Sequence, residues 1–336
     1  MSFSFKKSAL VLGVVAMLTA FPSVAADKKT VTINAASMFD KDHPFTQTYA
    51  KFGELVNKYQ DEVNIDVKIS LNKAMGIEPD FLRFMSQGES VDMAIIAPGN
   101  LAQRVPDIAI VDMPLMFKDL AHRNRVLASD AFKGIEADVI KRANIRAIGY
   151  AGGVSRNLIS NYPINNMNEL KGFRLRVQGA PIWAKVFTAV GAVPSVIAYD
   201  EVYSAVQTGV VQGLENERFG YTQQRFYEVA PHYTLTEHSL TVRPLFLSEK
   251  AFGKFSPKVQ AAILKAGAEA GKFGSEVELA MEGKALDEQV GKKLVTVHAF
   301  ADADKAKFRE LATPALLQYV KDAKLEEVYN KMQAVK

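Results

Sequence analysis

Short apolar runs and helically spaced ones alternate through the first hundred residues. "TVTINAAS" (30–37) and "VNIDVKIS" (63–70) switch between apolar and polar positions, the period of a strand with one buried face. Between them, starting at Pro44, "PFTQTYAKFGELVNKYQ" repeats its apolar residues at helical spacing. "EPDFLRFMSQGE" (78–89) reads as a second helix, with Pro79 suited to the first turn and Gly88 to the stop. "VDMAIIA" (91–97) is apolar throughout at strand length, which fits a strand covered on both faces. The order strand, helix, strand, helix, strand predicts an α/β sheet clothed in helices.

The pattern returns in the second half. "IRAIGYAGG" (145–153) and "FRLRV" (173–177) read as strands, and "PIWAKVFTAVG" (181–191) as a helix stopped by Gly191. After "VPSVIAY", Asp200 offers an N-cap to "EVYSAVQTG", which ends at Gly209. The longest helical pattern runs from Pro257 to about Val290. Glycines at 267, 271, 274 and 283 interrupt it, each costing up to about 1 kcal/mol against alanine in a helix interior. In "FRLRV", Phe173, Leu175 and Val177 share one face, and Arg174 and Arg176 share the other. Alternation alone leaves two readings: a solvated pair, or one arginine that holds an anion.

The N-terminus bears on compartment. Lys6 and Lys7 precede the apolar run "ALVLGVVAMLTAF" (9–21), and small residues follow to Ala26. That is the form of a signal peptide over residues 1–26, cleaved after Ala25 or Ala26. The run is shorter than the roughly 20 residues that span a bilayer. There is no cysteine, so neither disulfides nor a lipid-modified cysteine are available. Without Lys6 and Lys7 the chain carries 39 basic and 37 acidic residues, a net +2, with no basic stripe of the kind nucleic acid requires. The expectation is a soluble periplasmic protein, long enough for two domains.

Catalytic signatures are missing. "GAEAGKFG" (267–274) echoes a phosphate-binding loop, but it is one residue short between glycines and has Phe273 where Ser or Thr would hold magnesium. Histidines 43, 122, 232, 238 and 298 never take a metal-ligand spacing, and no G-x-S-x-G elbow occurs. The neighbouring carboxylates Glu78 and Asp80 are explained by a helix N-terminus. No cofactor or metal is therefore expected. Binding chemistry remains. Arg156 follows a glycine pair just beyond one expected strand, Arg176 ends another, and Asn216 in "GLENERFG" falls at a third strand end. Ligands of open α/β sheets bind outside such carboxyl ends, and an arginine can donate two parallel hydrogen bonds to one carboxylate.

The segment from Asn168 to His238 resembles the substrate-binding proteins of TRAP (tripartite ATP-independent periplasmic) transporters. The resemblance rests on Lys-Gly before an Arg-Val strand, then Gly-Ala-x-Pro, Glu-Val-Tyr, Gln-Thr-Gly, Glu-Asn and Phe-Tyr-Glu-Val in order. "FMSQGESVDMA" (84–94), "DMPLMFKDLAHRNRVL" (112–127) and "GGVSRN" (152–157) support it. It implies an α/β, two-domain periplasmic binding protein fold with a central cleft, hinge strands and a long domain-spanning helix, for which 257–290 is the candidate. The expected domains are 27–153 plus about 242–281, and 154–241 plus about 282–336. The resemblance makes Arg176, not Arg174, the grip on a ligand carboxylate. Asn216 becomes a ligand contact, Arg156 a supporting arginine and Tyr199 an aromatic wall. Trp183 corresponds less closely, and a core role suits it equally. The implied function is capture of a small organic acid by a monomer and delivery to membrane-embedded TRAP permease subunits, without catalysis. Gln212, Gln178 and "KAMGIEP" depart from the family pattern and leave the ligand subclass open. The competing readings are a receptor for an amino acid or sugar of an ATP-driven transporter, and a secreted enzyme acting on organic acids.

Overall fold

Among the described residues, 1–2 and 28–336 of a computed structural model, eleven strands form two separate sheets. The expected leader lies outside the described residues apart from Met1 and Ser2. In chain order the strands are β1 (Thr30–Ala36), β2 (Asn64–Ser70), β3 (Met93–Ile95), β4 (Ile145–Ala151), β5 (Ser155–Ser160) and β6 (Arg174–Val177). Then follow β7 (Val193–Val196), β8 (Gly213–Asn216), β9 (His232–Leu240), β10 (Arg243–Ser248) and β11 (Thr296–His298). The first sheet is ordered β2-β1-β3-β10-β4, the second β11-β9-β5-β8-β6-β7. Strands β1, β2 and β3 are parallel, as alternation with helices demands, while β10 runs antiparallel between β3 and β4. In the second sheet β8, β6 and β7 are parallel and β5 is antiparallel to β8. The molecule is thus an α/β fold in two lobes.

Local chemistry sets the element ends. His43 caps the helix Pro44–Tyr59 by accepting from the Phe45 N–H, and that helix buries Phe45, Tyr49, Phe52 and Val56. Asp80 accepts from the Ile77 N–H at the start of Glu78–Gln87, and Gly88 ends it in the left-handed region at φ 65°. The apolar run 91–97 supplies β3, which is wholly buried. Two expectations change. Asp200 is not an N-cap: Tyr199–Glu201 form a 3-10 turn, and the helix Val202–Gln207 begins without a side-chain cap. The long helix, capped by Ser256, runs Pro257–Glu282 and stops short of Val290, where a separate turn, Asp287–Gly291, takes over.

Three of the glycines that weaken the long helix, Gly267, Gly271 and Gly274, are its packing surface. A Cβ on Gly267 would lie 2.4 Å from the Ile148 carbonyl oxygen, one on Gly271 2.5 Å from the Tyr150 nitrogen, and one on Gly274 2.1 Å from Thr48 Oγ1. The helix therefore lies with its backbone almost on β4, closer than any side chain permits. Loss of helix propensity is offset by this contact.

The chain crosses between the lobes in two strand segments. One passes Gly152 and Gly153, whose φ values of 89° and 118° only glycine adopts easily; the other is Leu240–Arg243. They run side by side, with Thr241 N–H donating to the Val154 carbonyl at 2.9 Å and Thr241 Oγ1 accepting from Gly153 N–H at 2.9 Å. Buried Arg123 donates to both, through Nε to the Thr241 carbonyl and Nη2 to the Ala151 carbonyl. The far end of the long helix also reaches across, where the Glu282 carbonyl accepts from Arg218 Nη1 at 3.2 Å. The last helix, Glu326–Ala334, which the sequence reading groups with the second unit, returns to the first. There the Met332 carbonyl lies 3.0 Å from His122 Nε2, and Gln333 Nε2 donates to the Met116 carbonyl at 2.7 Å.

Gly267→Ala tests the packing. Alanine adds helix propensity of about 1 kcal/mol, but overpacking costs about 1–3 kcal/mol. The urea midpoint should fall. Gly283→Ala, with nothing within 4 Å of its Cβ, should leave it unchanged or raise it.

Candidate functional site

A cavity of about 270 Å³ lies between the lobes. Phe39, Glu78 and Asn100 line it from the first lobe, Arg156, Arg176, Tyr199 and Asn216 from the second, and Arg243 from the end of a crossing strand. Polar contacts bridge the mouth: Lys73 Nζ donates to Gln224 Oε1 at 3.0 Å, and Gln223 Nε2 to Asp40 Oδ1 at 3.3 Å.

The two arginines of β6 separate. Arg174 is exposed and donates to the Gly209 carbonyl at 3.1 Å. Arg176, nearer the carboxyl end of the strand, is only 5% exposed. Its Nε donates to the Ile197 carbonyl at 2.9 Å and its guanidinium lies 5.5 Å from the Tyr199 ring centroid. None of the described residues accepts a hydrogen bond from its two terminal nitrogens, and none places a carboxylate within ion-pair distance. Burial lowers its pKa to about 10 while Glu215 opposes the fall, so the group is charged at neutral pH. Asn216, the last residue of β8, donates through Nδ2 to the Tyr199 hydroxyl at 2.8 Å and accepts from the Glu217 N–H at 3.0 Å. Tyr199 keeps its own hydroxyl proton for another acceptor. Such a wall can hold a carboxylate in two parallel hydrogen bonds, with neutral donors beside it.

Arg156 follows β4 across the crossing segment, as expected, and is the second residue of β5. Because β5 is antiparallel to β8, with Asn157 opposite Asn216, its start meets the rim where β8 ends. Its donors are largely taken. Nε and Nη2 grip the Glu215 carboxylate, Nη2 also donates to the Glu215 carbonyl at 2.9 Å, and Nη1 donates to Glu217 Oε2 at 2.9 Å. Burial works against every charge here. The two acids nevertheless raise the Arg156 pKa above its ordinary value. Burial would likewise raise the Glu215 carboxyl, but Arg156 and His238 outweigh it and hold it at about 2.

Trp183 does not line the cavity. It is fully buried on the helix Pro181–Ala189, packed against Phe187 and His238, with the Arg156 guanidinium 5.5 Å from its ring. The core role holds, since that helix turns residue 183 inward beneath Arg156. Sequence reasoning missed Glu78, Asn100 and Arg243. Both acids lie in the first turn of their helix, but Asp80 alone hydrogen-bonds to the backbone there. Glu78 Oε2 instead accepts from the Ala97 N–H and Asn100 Nδ2, both at 2.7 Å, and burial raises its pKa. The phosphate-loop echo lies inside the long helix, not between strand and helix. No cluster of three or more metal-ligating side chains occurs among the described residues.

Two α/β lobes on paired crossing strands, enclosing an arginine with open donors, define a solute-binding protein. Residues 35–322 match the family model of bacterial extracellular solute-binding protein, family 7, and the chain belongs to that family, the TRAP-type solute receptors, whose named members are periplasmic. A solute-binding protein of Sulfitobacter sp. (strain NAS-14.1) is 45% identical over 306 residues, covering 91% of this chain and 92% of that protein. A crystal structure of a TRAP periplasmic solute-binding protein from Sulfitobacter sp. NAS-14.1, with bound α-D-taluronate, superposes with a TM-score of 0.84 at 42% identity, covering 92% of this chain and 98% of the other. A third relative, the Roseobacter denitrificans OCh 114 protein with bound L-galactonate, gives 0.80 at 27% identity over 91% of this chain and 99% of that one.

The Arg156 network should show in stability against pH. Glu215 titrates below its ordinary range in the folded state, so its contribution is present above the unfolded carboxyl pKa of about 4.3 and is lost as pH falls toward about 2. Glu215→Gln should cost about 3–5 kcal/mol at pH 7, as for breaking a buried pair. In denaturant titrations the gap to wild type should narrow as pH drops through that window.

Proposed function

We propose that this protein captures a hydroxylated monocarboxylic acid of the hexuronate or hexonate type in the periplasm and presents it to TRAP permease subunits in the membrane. One observation carries the reading: Arg176 is buried in the cavity wall with both terminal nitrogens unengaged. A guanidinium in that state matches one carboxylate, and Asn216 and Tyr199 supply further polar contacts beside it. The relatives crystallised with taluronate, galacturonate and galactonate support the sugar acid, since each of those ligands pairs one carboxylate with several hydroxyls.

The lobes close over the acid by bending at the crossing strands, and the acid leaves chemically unchanged. Residues 1–26 act as the cleaved leader that sends the chain to the periplasm. The first domain takes about 27–153 and 242–281, the second 154–241 and the segment after 282, with the final helix strapped back onto the first.

A thermal-shift screen of hexuronates, hexonates and four-carbon dicarboxylates tests the assignment. An acid at 100 times its Kd stabilises by about 2.7 kcal/mol, a visible rise in Tm. Arg176→Ala should weaken binding by roughly two to three orders of magnitude, from about 3–5 kcal/mol for a broken buried pair. Arg174→Ala should bind as wild type does. No response to any carboxylate, or tight binding by Arg176→Ala, defeats the reading.

A further inference from the structure

Arg243 is the cavity cation that one carboxylate leaves unexplained. It opens β10 opposite Ala151, immediately after the crossing strand, and is 6% exposed. No described residue accepts a hydrogen bond from it. The only carboxylate within ion-pair distance among the described residues is that of Glu217, whose Oε2 is 3.7 Å away and already accepts from Arg156 at 2.9 Å. The guanidinium sits 5.9 Å from the Phe45 ring centroid, on the cavity wall. A buried arginine with its donors unused is costly unless a partner arrives. Glu78 lines the same cavity. Its Oε2 is occupied by Ala97 and Asn100, whereas its other oxygen makes no hydrogen bond to the described residues.

Resting on the sugar-acid reading, we infer that Arg243 and Glu78 form a second polar subsite that reads the hydroxyl-bearing end of the ligand. Arg243 donates to hydroxyl or ring oxygens, and the open oxygen of Glu78 accepts from a hydroxyl. Arg176 then holds the acid, while this pair chooses among acids. The charges favour hydroxyls over a second carboxylate. Around Arg243 stand Glu217 and Glu78, with Asp112 and Glu278 also within its field, so another carboxylate would enter a cluster already rich in acids, with Arg156 committed to Glu215 and Glu217. The pair therefore discriminates against aldaric acids, which carry a carboxylate at each end.

Calorimetric titration of the mature protein with D-galacturonate and with galactarate, its counterpart with two carboxylates, tests this. Wild type should prefer galacturonate. Arg243→Met should weaken galacturonate binding about 10–100-fold, the range for hydrogen bonds to a charged group. Glu78→Gln should narrow the preference over galactarate by about 10-fold or more. Arg243→Lys, which keeps the charge but not the planar fork, should also change the ratio of the two affinities and serves if the methionine variant does not fold. A purely structural arginine would lower the Tm of the unliganded protein and weaken both acids equally; an unchanged ratio in the variants overturns the subsite alone. A wild-type preference for galactarate that disappears in Arg243→Met also overturns it, because a carboxylate would then be the partner of Arg243. Failure of wild type to bind any sugar acid defeats the broader reading, and this one with it.

Discussion

A carboxylate leaves water at tolerable cost only if a cation with open donors already waits where it lands. That requirement governs the second lobe. Arg176 has to be buried, yet must not be claimed by the acids around it, and Glu215 is near enough to influence its titration. Arg156 resolves the conflict by gripping Glu215 through its side chain and Glu217 through Nη1. With most of its donors engaged, it ties the neighbouring carboxylates to itself, and none of the described residues places a carboxylate within ion-pair distance of Arg176. Trp183, packed under Arg156, and His238, beside Glu215, hold that arrangement from below. Residues that support the anchor thereby decide whether it stays available.

The first lobe meets a different demand, a stiff body on a narrow hinge. Gly267 and Gly271 bring the long helix against the backbone of β4, and Gly274 fits it to Thr48 on a neighbouring helix. Where β4 ends, Gly152 and Gly153 turn the chain toward the second lobe at φ values that only glycine adopts easily. Arg123 ties both crossing segments together by their carbonyl oxygens. The bending proposed for capture would fall on these few residues, whose partners are specified.

Periodicity made most elements legible, because strand alternation, apolar runs and helix stops are local properties of the chain. Its failures were local as well. The helical pattern ran past Glu282 because hydrophobic spacing continues beyond the last packed turn, and Asp200 looked like a cap because the 3-10 turn at Tyr199 has no simple sequence mark. Within the site, Arg174 and Arg176 share a face, and alternation could not say which stood at the rim; the family pattern could. Glu78 does open its helix, but its partners, Ala97 and Asn100, come from a later turn, so its cavity role was not legible locally. Arg243 left no trace in the reading, since its environment is assembled from residues distant in sequence. Arg156 was found, but its engagement with two acids depends on β5 running antiparallel to β8, which only the sheet topology reveals.

The contacts across the mouth have a consequence for timing. Lys73 with Gln224, and Gln223 with Asp40, join the lobes through one long amine and three side chains that water solvates equally well. Each contributes little on its own, in the manner of exposed polar pairs. On the proposed closure, these two contacts by themselves would hold a vacant receptor shut only weakly, and cargo would supply most of the hold. A membrane partner that recognised the shut shape would then meet fewer empty carriers, and the weakness of the latch would serve as a means of proofreading.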